Sequence, residues 1–237
     1  MPEPDATLDM TSRVRPRVLV VDDESHILRA LRPILREAGF ETLPAGSGEE
    51  ALDVAALQPP DAALIDLLLP DMDGVELCRR LREWTQMPLI VLSAVGDEDA
   101  KVRALAAGAD DYVTKPFGPR ELVARLQANL RRIGPGDEQA QLNLDGLEVD
   151  LARRTVQVDG QEVHLTPTEF DLLRHLVNNR GRLMTHRELL TEVWGPGYGE
   201  DTQVLRAHIA NLRRKIEPTD GRRYIRTDPG VGYRFAV

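Results

Sequence analysis

One cysteine, three lysines and no apolar run long enough for a membrane are the scarcities of this 237-residue chain. The single Cys78 excludes a disulfide within the chain and fits a reducing compartment, so a cytoplasmic location is expected. It lies in Gly74-Val-Glu-Leu-Cys78-Arg-Arg-Leu81, where its plain reading is a small apolar filler on a helix. No stretch approaches the ~20 apolar residues of a membrane span. The opening Met1-Pro-Glu-Pro-Asp5 lacks the basic and then apolar order of a signal peptide, and residues 1–12 read as a disordered tail. Arginine supplies 27 of the 30 basic residues. A lysine kept at position 115 therefore hints that a compact ammonium is wanted there.

Charge is unevenly spread. Residues 1–140 hold 16 Lys and Arg against 25 Asp and Glu, which carries the whole net charge of −9. Residues 141–237 balance at 14 of each, and within them residues 203–237 hold eight basic residues against three acids. A basic C-terminal end on an acidic molecule is what local attraction to phosphates needs. The length suits two domains, and 42% hydrophobic residues give each a core.

In Ala62-Ala-Leu-Ile-Asp66-Leu-Leu-Leu-Pro70-Asp71-Met-Asp-Gly74, an apolar strand delivers Asp66 at its C-terminal end and a turn-rich loop follows. Asp22 and Asp23 end another apolar strand, Arg17–Val21, and Lys115 closes a third in Asp111-Tyr-Val-Thr-Lys115-Pro116-Phe117. The C-terminal edge of an open α/β sheet is where ligands and chemistry sit. Three acids and a lysine there suit a hard divalent cation and a phosphoryl group, because carboxylate oxygens match Mg²⁺ and the ammonium matches a phosphate oxygen. Asp71 and Asp73 read instead as loop and turn residues.

Strands recur near 41–45, 62–66, 89–93 and 111–113 after the one at 17–21. Helices fill 25–38, 48–58, 75–83, 98–107 and 119–132. In the first helix Ile27, Leu28, Leu31 and Leu35 share a face, Gly39 is the stop, and Pro33 predicts a kink. Strict βα alternation predicts an α/β domain with a five-stranded, doubly wound parallel sheet over residues 14–133. Residues 131–140 are a Gly/Pro and polar linker.

Residues 141–237 predict a second domain. Strand-like alternation over Leu142–Asp150 and Arg154–Val158 leads to an Asp159-Gly160 turn and Glu162–Leu165. Thr166-Pro-Thr-Glu169 and Thr185-His-Arg-Glu188 are capping boxes, opening helices to Asn178 (with Phe170, Leu173 and Val177 inward) and to Trp194. A third helix over 202–217 and a hairpin, Tyr224–Thr227 with Val231–Phe235, complete a winged helix-turn-helix. On the 202–217 helix Leu205, Ile209, Leu212 and Ile216 form the buried stripe. Gln203, Ala207, Ala210 and Arg214 point away, flanked by Arg206 and Asn211, and so are the candidates for reading base edges. Arg213 and Lys215 are better placed for phosphates.

Val21-Asp22-Asp23-Glu24, Asp66 with Leu-Pro-Asp-Met-Asp-Gly74, Leu92-Ser93-Ala94 and Gly108-Ala-Asp-Asp-Tyr112-Val-Thr-Lys115-Pro116-Phe117 resemble the receiver domain of two-component response regulators. Thr166-Pro-Thr-Glu-Phe170, the Trp194 loop, the 202–217 helix and Gly232-Tyr-Arg-Phe235 resemble the effector domain of the OmpR/PhoB winged-helix subfamily. Shorter stretches, among them His26–Leu31, Lys101–Leu105 and Tyr198-Gly199, are most similar to the KdpE-type regulators of potassium-uptake operons.

The resemblance implies a flavodoxin-like receiver and a non-enzymatic, phosphorylation-activated transcription factor. Asp66 would be the phosphoacceptor, a carboxylate nucleophile forming an acyl phosphate. Mg²⁺ would be held by Asp22, Asp23, Asp66 and the Leu68 carbonyl. Lys115 would hold a phosphate oxygen, across a cis bond to Pro116, while Ser93 and Tyr112 would be the switch pair. A receiver-controlled enzyme is the rival class, and the C-terminal half offers it no nucleophile–base pair, metal cluster or Gly-rich phosphate loop. A phosphorylation-independent regulator would lack one of the acid, hydroxyl or lysine positions, and none is missing.

The implied partners are a sensor histidine kinase, RNA polymerase, double-stranded DNA read as tandem half-sites about one turn apart, and a second copy joined on phosphorylation. The implied dimer face holds an exposed Lys101 beside Val102 and Leu105, with crossed pairs Lys101–Glu121, Asp111–Arg125 and Asp110–Arg132. The wing turn, Thr227-Asp228-Pro229-Gly230, lacks the arginine many members use in the minor groove. It leaves Arg222, Arg223, Arg226 and Thr227 for phosphate contacts.

Overall fold

The structure is a computed structural model and describes residues 15–94, 98–131, 141–195, 198 and 201–236. The linker, the N-terminal tail and Arg132 lie outside the described residues. Strands β1 (Arg17–Val21), β2 (Glu41–Ala45), β3 (Ala62–Asp66), β4 (Leu89–Ala94) and β5 (Asp111–Lys115) alternate with helices α1 (Ser25–Glu37), α2 (Gly48–Leu57), α3 (Gly74–Arg82), α4 (Glu98–Ala106) and α5 (Pro119–Arg131). All strands are parallel, in the order β2-β1-β3-β4-β5. Helices cover both faces, which is why the central strands read as unbroken apolar runs. Val18, Val20 and Leu64 pack with Leu31, Leu35, Leu122 and Leu126 on one face. Leu19, Ile65 and Val91 pack with Leu77 and Leu81 on the other. Pro33 lies inside α1, which runs through it as one helix.

The order reverses at β1, so the ends of β1 and β3 lie side by side at the switch point. The chain leaves the sheet there in opposite directions and opens a crevice. That crevice receives Asp22 and Asp66.

The second half opens with a four-stranded antiparallel sheet, β6 (Gln141–Leu144), β7 (Leu147–Asp150), β8 (Thr155–Val158) and β9 (Gln161–Glu162). The expected single run over 142–150 is two strands, because Asp145 and Gly146 take φ of 46° and 87° and turn the chain back. Asp159 and Gly160 do the same at 51° and 75°, the doubly left-handed turn that matches strand twist. Helix α6 (Pro167–Asn178), strand β10 (Leu183–Thr185), helices α7 (His186–Trp194) and α8 (Thr202–Ile216), and strands β11 (Ile225–Asp228) and β12 (Gly232–Phe235) follow. Both capping boxes form, Thr166 with Glu169 and Thr185 with Glu188. The wing is a three-stranded sheet, β10-β12-β11, and β10 is the strand that the sequence reading lacked.

Candidate functional site

Asp22, Asp23 and Asp66 each bring a carboxylate oxygen within 4.8 Å of the others. Asp22 is fully buried, Asp66 is buried and Asp23 is exposed, so the group opens to solvent on one side. The Glu24 backbone amide donates to Asp22 at 2.9 Å and orients it. Lys115 Nζ donates to Asp66 at 2.7 Å and Asp22 at 2.9 Å. Burial works against its ammonium, but Asp66 and then Asp22 outweigh it and raise its pKa. The Lys115–Pro116 bond is cis. Ser93 is fully buried, and its hydroxyl has no hydrogen-bond partner among the described residues. An all-oxygen acidic group with a neighbouring ammonium fits a hard cation such as Mg²⁺.

The loop after Asp66 is set by its own residues. Asp71 caps α2, accepting from the Gly48 and Glu49 amides at 2.9 Å, and those bonds hold its carboxyl below the usual range. Asp73 caps α3 through the Val75 amide at 2.9 Å. Neither belongs to the acidic group of Asp22, Asp23 and Asp66. Leu68 is exposed, with its backbone bridged to Asp73. Gly74 passes so near the strand end that a Cβ there would collide with the Asp66 carbonyl oxygen and Leu67 Cα.

The two halves meet along α4, β5 and α5 on one side and α7 and α8 on the other. Asp110 and Asp111, both fully buried, are the centre of this join. The Asp110 carboxylate accepts from Arg82, from the Leu89 amide at 3.0 Å and from the Thr168 amide at 3.4 Å. Its backbone carbonyl accepts from Trp194 Nε1 at 3.3 Å and lies 3.1 Å from His208 Nε2. A carbonyl can only accept, so that nitrogen carries the proton. Asp111 accepts from Tyr198 Oη and, at 3.4 Å, from Arg125, whose guanidinium lies 4.1 Å over the Tyr198 ring. Tyr112 Oη donates to Asp201 at 2.8 Å. Burial first, and then the Asp201 carboxylate, push its hydroxyl pKa up, so it stays a donor.

This join changes several expectations. Lys101 is buried rather than exposed, pairing with Glu98 at 2.9 Å and lying 4.9 Å over the Tyr112 ring. Leu105 is buried, while Val102 stays half-exposed. Asp111 and Arg125 pair within the chain, Asp110 pairs with Arg82, and Glu121 pairs with Arg125 one turn away. On α8 the apolar stripe is as expected, and Gln203, Arg206, Ala210 and Arg214 are exposed. Ala207 is half-buried. Asn211, expected to face DNA, is buried and donates to the Leu105 carbonyl at 2.8 Å, because α4 covers that side of the helix.

Among the other basic residues, Arg213 donates to the Ile225 carbonyl and Thr227 hydroxyl, both at 2.8 Å, tying α8 to the wing. Lys215 pairs with Glu169, and Arg222 with Asp159 and Asp220, so neither is the free cation expected. Arg223 lies 3.7 Å from Glu217. Arg226 and Thr227 are exposed on the wing.

The sequence reading gave no role to Trp194, Tyr198, Asp201 or His208 at the join. The Trp194 loop was picked out, but nothing in its spacing says what it packs against.

Residues 18–127 match the response regulator receiver domain, and residues 160–235 match the C-terminal domain of transcriptional regulatory proteins. The transcriptional regulatory protein KdpE of Mycobacterium tuberculosis is 50% identical, over 92% of this chain and 98% of its own. The KDP operon transcriptional regulatory protein KdpE of Escherichia coli is 46% identical, over 93% and 99%. Among solved structures, a mutant of RitR superposes with a TM-score of 0.75 at 25% identity, covering 93% of this chain and 98% of that one. The chain belongs to the two-component response regulators of the OmpR/PhoB winged-helix family, which are phosphorylation-dependent DNA-binding transcriptional regulators. No helix among the described residues is long and apolar enough to cross a membrane.

Proposed function

We propose that this regulator takes a phosphoryl group on Asp66 from a sensor histidine kinase and then binds tandem DNA half-sites as a dimer, acting with RNA polymerase in the cytoplasm. Its genes would be a potassium-uptake operon. That assignment is supported by the identity to two proteins named KdpE, one of them named for the KDP operon. The receiver would span residues 14–133 and the DNA-binding domain 141–237.

The observation that carries the reading is the Asp66 carboxylate at a sheet switch point, beside Asp22, Asp23 and Lys115. Phosphoryl transfer needs positioning and charge neutralisation more than covalent help. One Asp66 oxygen forms a bond to phosphorus as the donor's bond to phosphorus breaks, and the leaving group departs with the electron pair. A Mg²⁺ held by Asp22, Asp23, Asp66 and the Leu68 carbonyl would neutralise charge on the phosphoryl oxygens. Lys115 would move its ammonium from the carboxylates to a phosphate oxygen. Ser93 would donate its free hydroxyl to another, and Tyr112 would turn inward behind it.

The test is to incubate wild type and Asp66→Asn with acetyl phosphate and Mg²⁺ and weigh each intact. Wild type should gain one phosphate and the variant none. An equal gain in both would overturn the assignment.

A further inference from the structure

Two of the first amides of α2 are satisfied from another part of the chain. Ser47 caps that helix locally, accepting from the Glu50 amide at 3.2 Å, and its carbonyl takes the Ala51 amide at 3.0 Å. The Gly48 and Glu49 amides have no partner within a helix that begins there. Each donates instead to one oxygen of Asp71, at 2.9 Å. Asp71 belongs to the loop between β3 and α3 that starts at Asp66. Met72 beside it is half-buried and lies over Gly48, where a Cβ would collide with its thioether. Helix α2 is itself fixed, because Ala51 and Ala55 are fully buried in one core with Leu43 and Ala45 of β2.

Leu68 lies in this loop, between Asp66 and Asp71. Its side chain is 78% exposed, so packing does not fix it. Its backbone is bridged to Asp73, and the Leu67 carbonyl accepts the Gly74 amide at 2.9 Å. Those bonds fold the loop on itself, whereas the Asp71 bonds tie it to a helix anchored on the sheet.

We propose that Asp71 is a positioning residue for the divalent cation: it is not a ligand, and through the α2 amides it holds the loop so that the Leu68 carbonyl is presented to the ion. This rests on the reading of Asp22, Asp23, Asp66 and the Leu68 carbonyl as the Mg²⁺ ligands. Mg²⁺ demands near-ideal octahedral geometry with short oxygen distances, so a loop that drifts loses affinity. A carboxylate can adjust by rotating about its own side-chain bonds. A main-chain carbonyl moves only with its loop, so the ligand least able to adjust is the one whose loop carries the extra tie. By linkage the tie works both ways, and an ion that orders the loop also strengthens the Asp71 bonds.

The experiment titrates MgCl₂ into the full, unphosphorylated chain and follows the amide resonances of residues 66–68 by NMR. Asp71→Ala should weaken Mg²⁺ binding about tenfold, the low end of what outer partners of metal ligands contribute. Asp71→Asn keeps an acceptor for one amide but no charge, and should fall between wild type and Asp71→Ala. Arg80→Ala is the control, because Arg80 ties α3 to α2 through Glu49 at 2.6 Å by a bond that bypasses the loop. Its loss should not weaken Mg²⁺ binding.

The second readout is the rate of phosphorylation by acetyl phosphate across a Mg²⁺ series. Asp71→Ala should need about tenfold more Mg²⁺ for half its maximal rate, yet approach the wild-type maximum. A loss of fold would not produce that split. The third is hydrogen exchange at the Gly48 and Glu49 amides of wild type, which Mg²⁺ should slow severalfold.

Wild-type Mg²⁺ affinity in Asp71→Ala would overturn the proposal. Equal affinities for Asp71→Asn and Asp71→Ala would show a carboxylate acting by charge alone, which is not positioning. Weakened binding in Arg80→Ala would overturn the route through the loop, and exchange indifferent to Mg²⁺ would overturn the coupling. An Asp23→Asn arm keeps the underlying reading separate. If that variant binds Mg²⁺ as wild type does, the three acids are not the site, whatever Asp71 does.

Discussion

Asn211 of α8 donates its side-chain amide to the backbone carbonyl of Leu105 on α4, at 2.8 Å, across the join between the two halves. The helix proposed to meet DNA and the helix proposed to meet a second receiver thus cover one another. Neither a DNA duplex against Asn211 nor a partner receiver against Leu105 is compatible with that bond. On the proposed function, this one interface would hold both outputs in check.

Removing the amide should show this directly. Asn211→Ala removes one hydrogen bond across the join while the Leu105 carbonyl keeps the Gly108 amide at 3.1 Å, a cost of about 0.5–1.5 kcal/mol. Amides of α4 and α8 in the unphosphorylated chain should then exchange faster, while the opened chain binds its operator less selectively for want of a base-reading amide. Unchanged exchange would mean that the join is held elsewhere.

Gly74 has no room for a methyl group, since its neighbours are the Asp66 carbonyl oxygen and Leu67 Cα, both backbone and unable to swing aside. Gly74→Ala should lower stability by about 1–3 kcal/mol in thermal melting. It should also slow phosphorylation by acetyl phosphate, because the displaced loop begins at Asp66. A variant that melts and reacts like wild type would contradict the crowding.

What the sequence made legible follows from which surfaces are buried by local pattern. Val18–Val21 and Ala62–Ile65 are buried on both faces, so their apolar runs announced themselves as central parallel strands. Asp22, Asp66 and Lys115 were legible because each ends such a run. The Asp145-Gly146 turn was overlooked although it carries the same dipeptide as Asp159-Gly160, because the apolar alternation continues on either side of it. Strand β10 has three residues and exists by pairing with β12, which no local pattern reveals. Lys101 and Asn211 show the remaining limit. Helical phase tells which face misses the helix's own core, and says nothing of a second domain laid against that face.

Cys78 should be inert in the folded chain. Burial pushes its thiol up to about 12, so at pH 8 roughly one molecule in 10⁴ carries the thiolate, the reactive form. A thiol reagent should label it only as fast as the chain unfolds, and at once in denaturant. Prompt labelling under native conditions would show that α3 opens on its own.

The last expectation separates reading from holding on the DNA face. Arg206 and Arg214 are exposed on α8, and Arg214 also reaches Asn211 Oδ1 at 3.0 Å, so these two would present forks to base edges once the halves part. Replacing either with alanine should cost about 1–3 kcal/mol on a specific site and relax preference at one base pair. Arg226 stands exposed on the wing, where the Asp228-Pro229 turn offers no base-reading cation. Asp228 itself faces Arg234 at 3.4 Å. Arg226→Ala should therefore weaken specific and random DNA alike and flatten the salt dependence by about one unit. Arg222 is engaged by Asp159 and Asp220, so Arg222→Ala should leave DNA affinity near wild type. The measurement is fluorescence anisotropy across a salt series, on sites selected from genomic DNA and on scrambled duplexes. If Arg226→Ala relaxes sequence preference while the Arg206 and Arg214 variants keep theirs, the wing reads the bases and α8 does not.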